Sequence, residues 1–295
     1  MRNHNINFIL IHTPKLFYDI TKHKTKSPAQ IGREEMKFVD AHIHLSDPAY
    51  EGKVEEIIED AKRSNIIALV SNSMNLETSH LSLQLAQKYP NLVYAAIGIH
   101  PWNIKQLQPH EIEDTINIIL KHKEKTGKIV AVGEVGLDFQ YVKTDELLNL
   151  QKRVFEEMLS AAEKTSLPVI IHSRGTALQI MNILSSYNLN KVLFHWFSRP
   201  IQLLSQIVDY GYFITEGPPS LYSSGIREII RHIPLSNLLT ETDGPVRFRG
   251  PFKGEMTTPS FIPSVVSAIA QIKNKKESDV ADQLIENFNQ FFRQR

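Results

Sequence analysis

From residue 37 onward the chain alternates two hydrophobic patterns. Short runs of apolar and β-branched residues occur at "KFVDAHI" from Lys37, Ile66 to Ser71, Leu92 to His100, Lys128 to Gly136, Pro168 to Ser173, Lys191 to Phe197, Tyr212 to Gly217 and Leu238 to Asp243. Most are continuously apolar, as expected of parallel strands covered on both faces. Between them, apolar positions return at helical spacing. The clearest case is Thr144 to Thr165, where Leu148, Val154, Phe155, Met158, Leu159 and Ala162 form one stripe and Thr144 is placed to cap it. "PSFIPSVVSAIAQIK" and "ESDVADQLIENFNQFF" predict two terminal helices. Eight strand–helix alternations without a break in composition predict an α/β fold, a (β/α)8 TIM barrel with C-terminal helices. A doubly wound open sheet is the alternative.

Polar residues interrupt these runs at their C-terminal ends. The first carries His42 and His44, the third His100, the fourth Glu134, the fifth His172, the sixth His195, the seventh Glu216 and the eighth Asp243. With 12 His in 295 residues, roughly 0.5 His-x-His pairs arise by chance, so the pair alone says little. In a barrel, however, all C-terminal strand ends meet at one rim, where active sites are built. Burying six of them separately, His42, His44, Glu134, His172, His195 and Asp243, would be costly without a shared counter-charge.

Imidazoles and carboxylates with no thiolate suit Zn, Mn, Co, Ni or Fe(II), and Mg where water completes the shell. His42, His44 and Asp243 can serve one ion, because strands one and eight are barrel neighbours. Glu134, His172 and His195 can serve a second, with Glu134 bridging. Other residues keep two readings each. His100 contacts substrate or hydrogen-bonds at the rim. Asp138 orients a ligand or caps the loop before the long helix. Arg174 binds phosphate or faces solvent. Glu216 is expected to be a rim loop residue before "GPPS". Asp40 is expected to be a buried structural or ligand-orienting carboxylate, not a ligand.

Composition narrows the partners. The net charge of +1, from 33 basic and 32 acidic residues, gives no global basic field, so any nucleic-acid contact needs a local patch. One follows the eighth run: "VRFRGPFKG" holds Arg247, Arg249 and Lys253, with Phe248 and Phe252 interleaved to stack on bases or to anchor the loop. Trp102 and Trp196 are further stacking candidates. The chain has no Cys, hence no disulfide and no thiolate ligand. No apolar run approaches the roughly 18 residues of a membrane span. Residues 1–35 read as an extension, flexible or upstream of the functional start, and residues 36–295 as the barrel. No secretory signal is read, and a cytoplasmic setting is expected.

Six motifs resemble the TatD family of metal-dependent deoxyribonucleases within the amidohydrolase superfamily. They are "FVDAHIHL" at Phe38, "GIHPW" at Gly98, "GEVGLDF" at Gly133, "PVIIHSRG" at Pro168, "FHWFS" at Phe194 and "LTETDGPVRFRG" at Leu239, in the family's order. The resemblance implies a barrel with a divalent-metal centre held by His42, His44, Glu134, His172, His195 and Asp243. Two departures, Gln140 in place of an aromatic residue and Glu216 in place of an uncharged one, bear on substrate preference.

The expected chemistry is hydrolysis of DNA phosphodiesters with two divalent ions, Mg, Mn or Zn, that activate a water. Asp243 and Glu134 are the expected catalytic carboxylates. Arg174, His100, Arg247 and Arg249 are the expected substrate contacts. An amidohydrolase acting on C–N or ester bonds of a small molecule is the alternative enzyme, and a silent binding barrel is a third class.

Overall fold

All eight runs form strands in the computed structural model, which describes residues 35–123, 127–189 and 191–292. They are β1 (Phe38–Ile43), β2 (Ile66–Asn72), β3 (Val93–Ile97), β4 (Ile129–Gly136), β5 (Val169–His172), β6 (Val192–Phe194), β7 (Phe213–Glu216) and β8 (Leu238–Thr240). The expected extension lies outside the described residues except for Glu35. The strands pair in parallel and in sequence order, β1 through β8, which is the TIM-barrel arrangement and not a doubly wound one.

The seam between β1 and β8 is made by side chains and loop backbone. The Thr240 hydroxyl donates to the Val39 carbonyl at 2.7 Å. The Asp40 carboxylate accepts the Thr242 amide at 3.0 Å, the Thr242 hydroxyl at 2.5 Å and the His42 amide at 3.2 Å. Beyond it, the Asp243 amide donates to the His42 carbonyl at 2.9 Å and the His44 amide to the Gly244 carbonyl at 2.8 Å. Asp40 is therefore a structural clasp. Burial pushes its carboxyl up to about 8, against the pull of those three donors.

Helices α1 (Val54–Arg63), α2 (Leu76–Lys88), α3 (Pro109–Lys123), α4 (Asp145–Thr165), α5 (Ala177–Leu184), α6 (Leu204–Asp209), α7 (Ser224–His232) and α8 (Ile262–Lys273) follow successive strands. Thr144 caps α4 as expected, accepting the Leu147 amide. The last helix, α9 (Glu277–Phe292), packs Phe288, Phe291 and Phe292 against Val39, Phe213 and Leu239, residues at the N-terminal ends of their strands. Each such burial contributes about 1.5–3 kcal/mol. α9 thus covers the bottom of the barrel, and the C-terminal rim is left for the site. No described helix is long and apolar enough to cross a membrane.

The strands are shorter than the apolar runs. His100 lies three residues past β3, His195 one past β6 and Asp243 three past β8. The backbone leaves the ladder there to aim side chains inward, with φ of 50° at Asp243 and 40° at Trp196, a conformation non-glycine residues seldom adopt. Glu216 departs from expectation in the opposite sense. It is the last residue of β7 and fully buried, not a rim loop residue.

Candidate metal centre

Two donor sets share the carboxylate of Glu134. In the first, His42 Nε2 and His44 Nε2 are 3.2 Å apart, and Glu134 Oε2 is 3.2 Å from each. Asp243 Oδ1 completes it at 3.4 Å from His42 and 3.5 Å from His44. In the second, Glu134 Oε1 lies 2.8 Å from His195 Nε2, 2.9 Å from His172 Nδ1 and 3.2 Å from His100 Nε2. His172 Nδ1 is in turn 3.3 Å from His100 and 3.4 Å from His195. All these residues are buried.

This packing fits divalent cations. Ligand bonds of about 2.1 Å place neighbouring donors about 3.0 Å apart in an octahedron and about 3.4 Å apart in a tetrahedron. A single proton between two imidazole nitrogens satisfies one pair and leaves the adjoining donors facing each other. The tautomers agree with ligation. His44 Nδ1 lies 2.9 Å from the Asn72 carbonyl, which holds a proton on Nδ1 and leaves Nε2 as the atom that faces Glu134 and Asp243. His172 Nε2 lies 2.9 Å from Asp138 Oδ2, which leaves Nδ1 free to bind.

Charge follows the same plan. Burial works to raise Glu134 and Asp243, yet the surrounding imidazoles outweigh it and hold both below the usual carboxylate range. Burial works to lower His44, but Asp243 and Glu134 push it up to about 10. His100 goes the other way, driven down to about 4 by burial, so it is neutral at physiological pH and carries a single ring proton. Sequence reasoning placed His100 with the substrate contacts. It lines the cleft and also makes the rim hydrogen bond: its Nδ1 accepts the Trp102 amide at 3.1 Å, which puts the ring proton on Nε2, 3.2 Å from Glu134 Oε1.

Asp138 joins both roles open to it. Its Oδ1 accepts the Gln140 and Tyr141 amides at 2.9 and 3.0 Å, which caps the loop. Its Oδ2 takes His172 Nε2, Trp102 Nε1 at 2.7 Å and Arg174 Nη2 at 2.9 Å. Burial pushes this carboxyl up, but these donors prevail and hold it well below the usual range.

A cleft of about 760 Å³ opens over the donors, lined by Trp102, Arg174, Trp196, Arg199, Tyr222 and Ile226 among others. Arg174 reaches it while holding Asp138 and lying 5.2 Å over the Trp102 ring. Arg247 and Arg249 do not line it. Phe248 and Phe252 are buried with Phe261, Phe248 packing on Trp196 at 5.5 Å, and the intervening arginines face solvent. The aromatic residues of that loop are thus anchors and not a stacking surface. Two residues escaped sequence reasoning. Arg199, four residues past His195, was visible as a cation in "HWFSRP". Glu241, buried behind the histidines, carried the same signal as Asp40, a carboxylate next to an apolar run.

The chain is similar to known metal-dependent hydrolases. The family model described as TatD related DNase matches residues 39–293. An uncharacterized metal-dependent hydrolase of Methanocaldococcus jannaschii is 31% identical over 261 residues, covering 88% of this chain and 99% of that protein. A human protein named deoxyribonuclease TATDN3 is 30% identical over 265 residues, covering 86% of this chain and 94% of its own. The crystal structure of a TatD homologue from Escherichia coli superposes with a TM-score of 0.79 at 28% identity, over 86% of this chain and 97% of that one.

Proposed function

The chain belongs to the TatD-related DNase family of metal-dependent hydrolases, and from that premise we propose that it cleaves phosphodiester bonds of DNA. The observation that carries the proposal is the division of Glu134, one oxygen facing His42 and His44 and the other facing His172 and His195. His42, His44 and Asp243 would hold one divalent cation and His172 and His195 a second, with Glu134 offering one oxygen to each group and His100 beside them. Bound divalent ions, Mg, Mn or Zn, would supply Lewis acidity toward phosphoryl oxygens and lower the pKa of a water.

The chain's own residues do the rest. Asp243, ionised and lining the cleft, is placed to take a proton from an attacking water. Asp138 holds His172 and Arg174 in fixed relation, so that Arg174 meets a phosphate oxygen at a set distance from the donors. Trp102, Trp196 and Tyr222 form apolar walls that limit water around the reacting group. Those walls also favour a second reading, hydrolysis of C–N or ester bonds in a small apolar substrate.

The test is digestion of 3′- and 5′-labelled single- and double-stranded DNA by protein of measured metal content, with Mg, Mn and Zn supplied in turn. Nucleotide release that disappears in His42→Ala and Asp243→Asn is expected. Turnover of lactones or cyclic amides with no DNA cleavage in any metal would overturn the proposal in favour of the second reading.

A further inference from the structure

Beneath the donor sets, the rings of His42 and His195 stack face to face, with centroids 4.1 Å apart and planes 8° from parallel. Both Nε2 atoms face Glu134. Both Nδ1 atoms are buried and have no hydrogen-bond partner. Such orphans are uncommon and call for an acceptor. A buried carboxylate stands beside both rings, that of Glu241, only 1% exposed. Its Oε2 lies 3.5 Å from His195 Nδ1. One donor atom from each of His42, His195 and Glu241 lies within 4.8 Å of the others.

Glu241 is itself held in place. The Thr215 hydroxyl donates to its Oε2 at 2.5 Å, and the same hydroxyl accepts the Trp196 amide at 3.1 Å. Gly217 leaves room for it, since a Cβ there would stand 2.8 Å from the Glu241 carbonyl oxygen and 3.3 Å from its Cγ. The second carboxyl nearby, Glu216, is pushed well above the ordinary range by burial and by Glu241, and so adds a neutral acid and not a second negative charge.

We infer that Glu241 is a positioning residue shared by both halves of the metal centre, accepting the Nδ1 protons of His42 and His195 together. The inference rests on the proposed ligand set. An imidazole that gives its Nε2 lone pair to a cation carries its proton on Nδ1, and a buried N–H without an acceptor costs about 1–3 kcal/mol. A carboxylate acceptor fixes the ring and makes it a better donor, and loss of such partners typically lowers metal affinity about 10–100-fold. Because His42 and His195 belong to different donor sets, one carboxylate tunes both ions at once.

The experiment titrates Co(II) and Mn(II) into the metal-free full-length chain by calorimetry, with the Co(II) visible spectrum as second readout. Thermal unfolding in EDTA is measured alongside. Wild-type protein is expected to bind two equivalents. In Glu241→Gln both equivalents should weaken about 10–100-fold and the Co(II) spectrum should shift, while the melting temperature in EDTA stays level or rises. A purely structural carboxylate would instead lower the melting temperature in EDTA and leave the metal affinity of the folded protein and its Co(II) spectrum unchanged, and that combined result overturns the inference. So does an affinity loss confined to one equivalent, or none. Thr215→Val, which releases Glu241 but leaves it in place, should weaken both equivalents in the same direction by less, and it decides the matter if Glu241→Gln does not fold. Wild-type protein that binds fewer than two equivalents would overturn the ligand set itself, a failure distinct from unchanged binding in Glu241→Gln.

Discussion

Asp138 Oδ2 stands 2.9 Å from His172 Nε2, and the same oxygen holds Arg174 Nη2 at 2.9 Å. One atom therefore ties a candidate ligand to a cation of the cleft. Asp138→Asn cannot accept from both while keeping its amide group satisfied. It is expected to lower metal affinity about 10–100-fold and to reduce kcat/KM more than Arg174→Ala does, since it disturbs both partners. Metal titration and steady-state kinetics on the two variants check this. Unchanged metal affinity in Asp138→Asn would show that Glu134 and His195 alone set the position of His172.

Glu134 and Asp243 differ in reach. Among the described residues Asp243 meets only the imidazoles of His42 and His44 within salt-bridge distance, whereas Glu134 meets those two and His100, His172 and His195 as well. Glu134→Gln is expected to abolish high-affinity binding of both cations, and Asp243→Asn that of one. Chelation should lower the melting temperature of wild-type protein, because a cation at 100 times its Kd stabilises the folded state by about 2.7 kcal/mol. The same treatment should barely move Glu134→Gln. Calorimetric stoichiometry and EDTA-dependent melting separate the two variants.

The fold and the core of the site were legible because both rest on costs that act locally. A His or Glu inside an apolar run must be satisfied somewhere, and the barrel rim is where such residues from separate strands meet. His42, His44, Glu134, His172, His195 and Asp243 do converge. What stayed hidden depends on direction. The sequence shows Arg247 and Arg249 as a basic loop, but burial of Phe248 and Phe252 turns the arginines outward. Asp138 was legible as a residue that orients a ligand or caps a loop, but its bond to Trp102 was not, nor was that of Glu241 to Thr215. No periodicity encodes such pairings.

That outward turn has a kinetic consequence. Exposed charges away from the cleft contribute about 0.2–1 kcal/mol, so Arg247→Ala and Arg249→Ala should change kcat/KM on DNA no more than about fivefold. Arg174→Ala and Arg199→Ala remove cations that line the cleft. A lost charge-assisted hydrogen bond of about 1.5–3 kcal/mol corresponds to roughly 10–150-fold. Effects in the reverse order would place the substrate on the loop surface.

The seam of the barrel depends on Asp40. In Asp40→Ala the buried amides of His42 and Thr242 lose their acceptor, as does the Thr242 hydroxyl. At about 1–3 kcal/mol for each orphaned group, the variant should unfold at much lower urea than wild type, and it should do so equally in EDTA. A loss seen only with metal present would make Asp40 part of the metal centre and not of the fold.

Glu216 predicts how stability varies with pH. Both its oxygens are buried without a partner, and its carboxyl is held well above its ordinary value by burial and by Glu241. In the unfolded chain it titrates as an ordinary carboxylate. The folded state therefore keeps a proton that the unfolded state gives up. The stability this contributes is complete below the ordinary carboxylate range and is lost as pH rises toward the folded value, at up to about 1.4 kcal/mol per pH unit for one proton. Asp138 and Asp243, held low, contribute the opposite slope. The difference between two proteins isolates Glu216. In EDTA, Glu216→Gln should match wild type near pH 5 to within about 1 kcal/mol and exceed it increasingly as pH rises. Urea unfolding across pH 5 to 9 measures both slopes. Parallel curves would mean that Glu216 ionises in place, with its charge met inside the barrel.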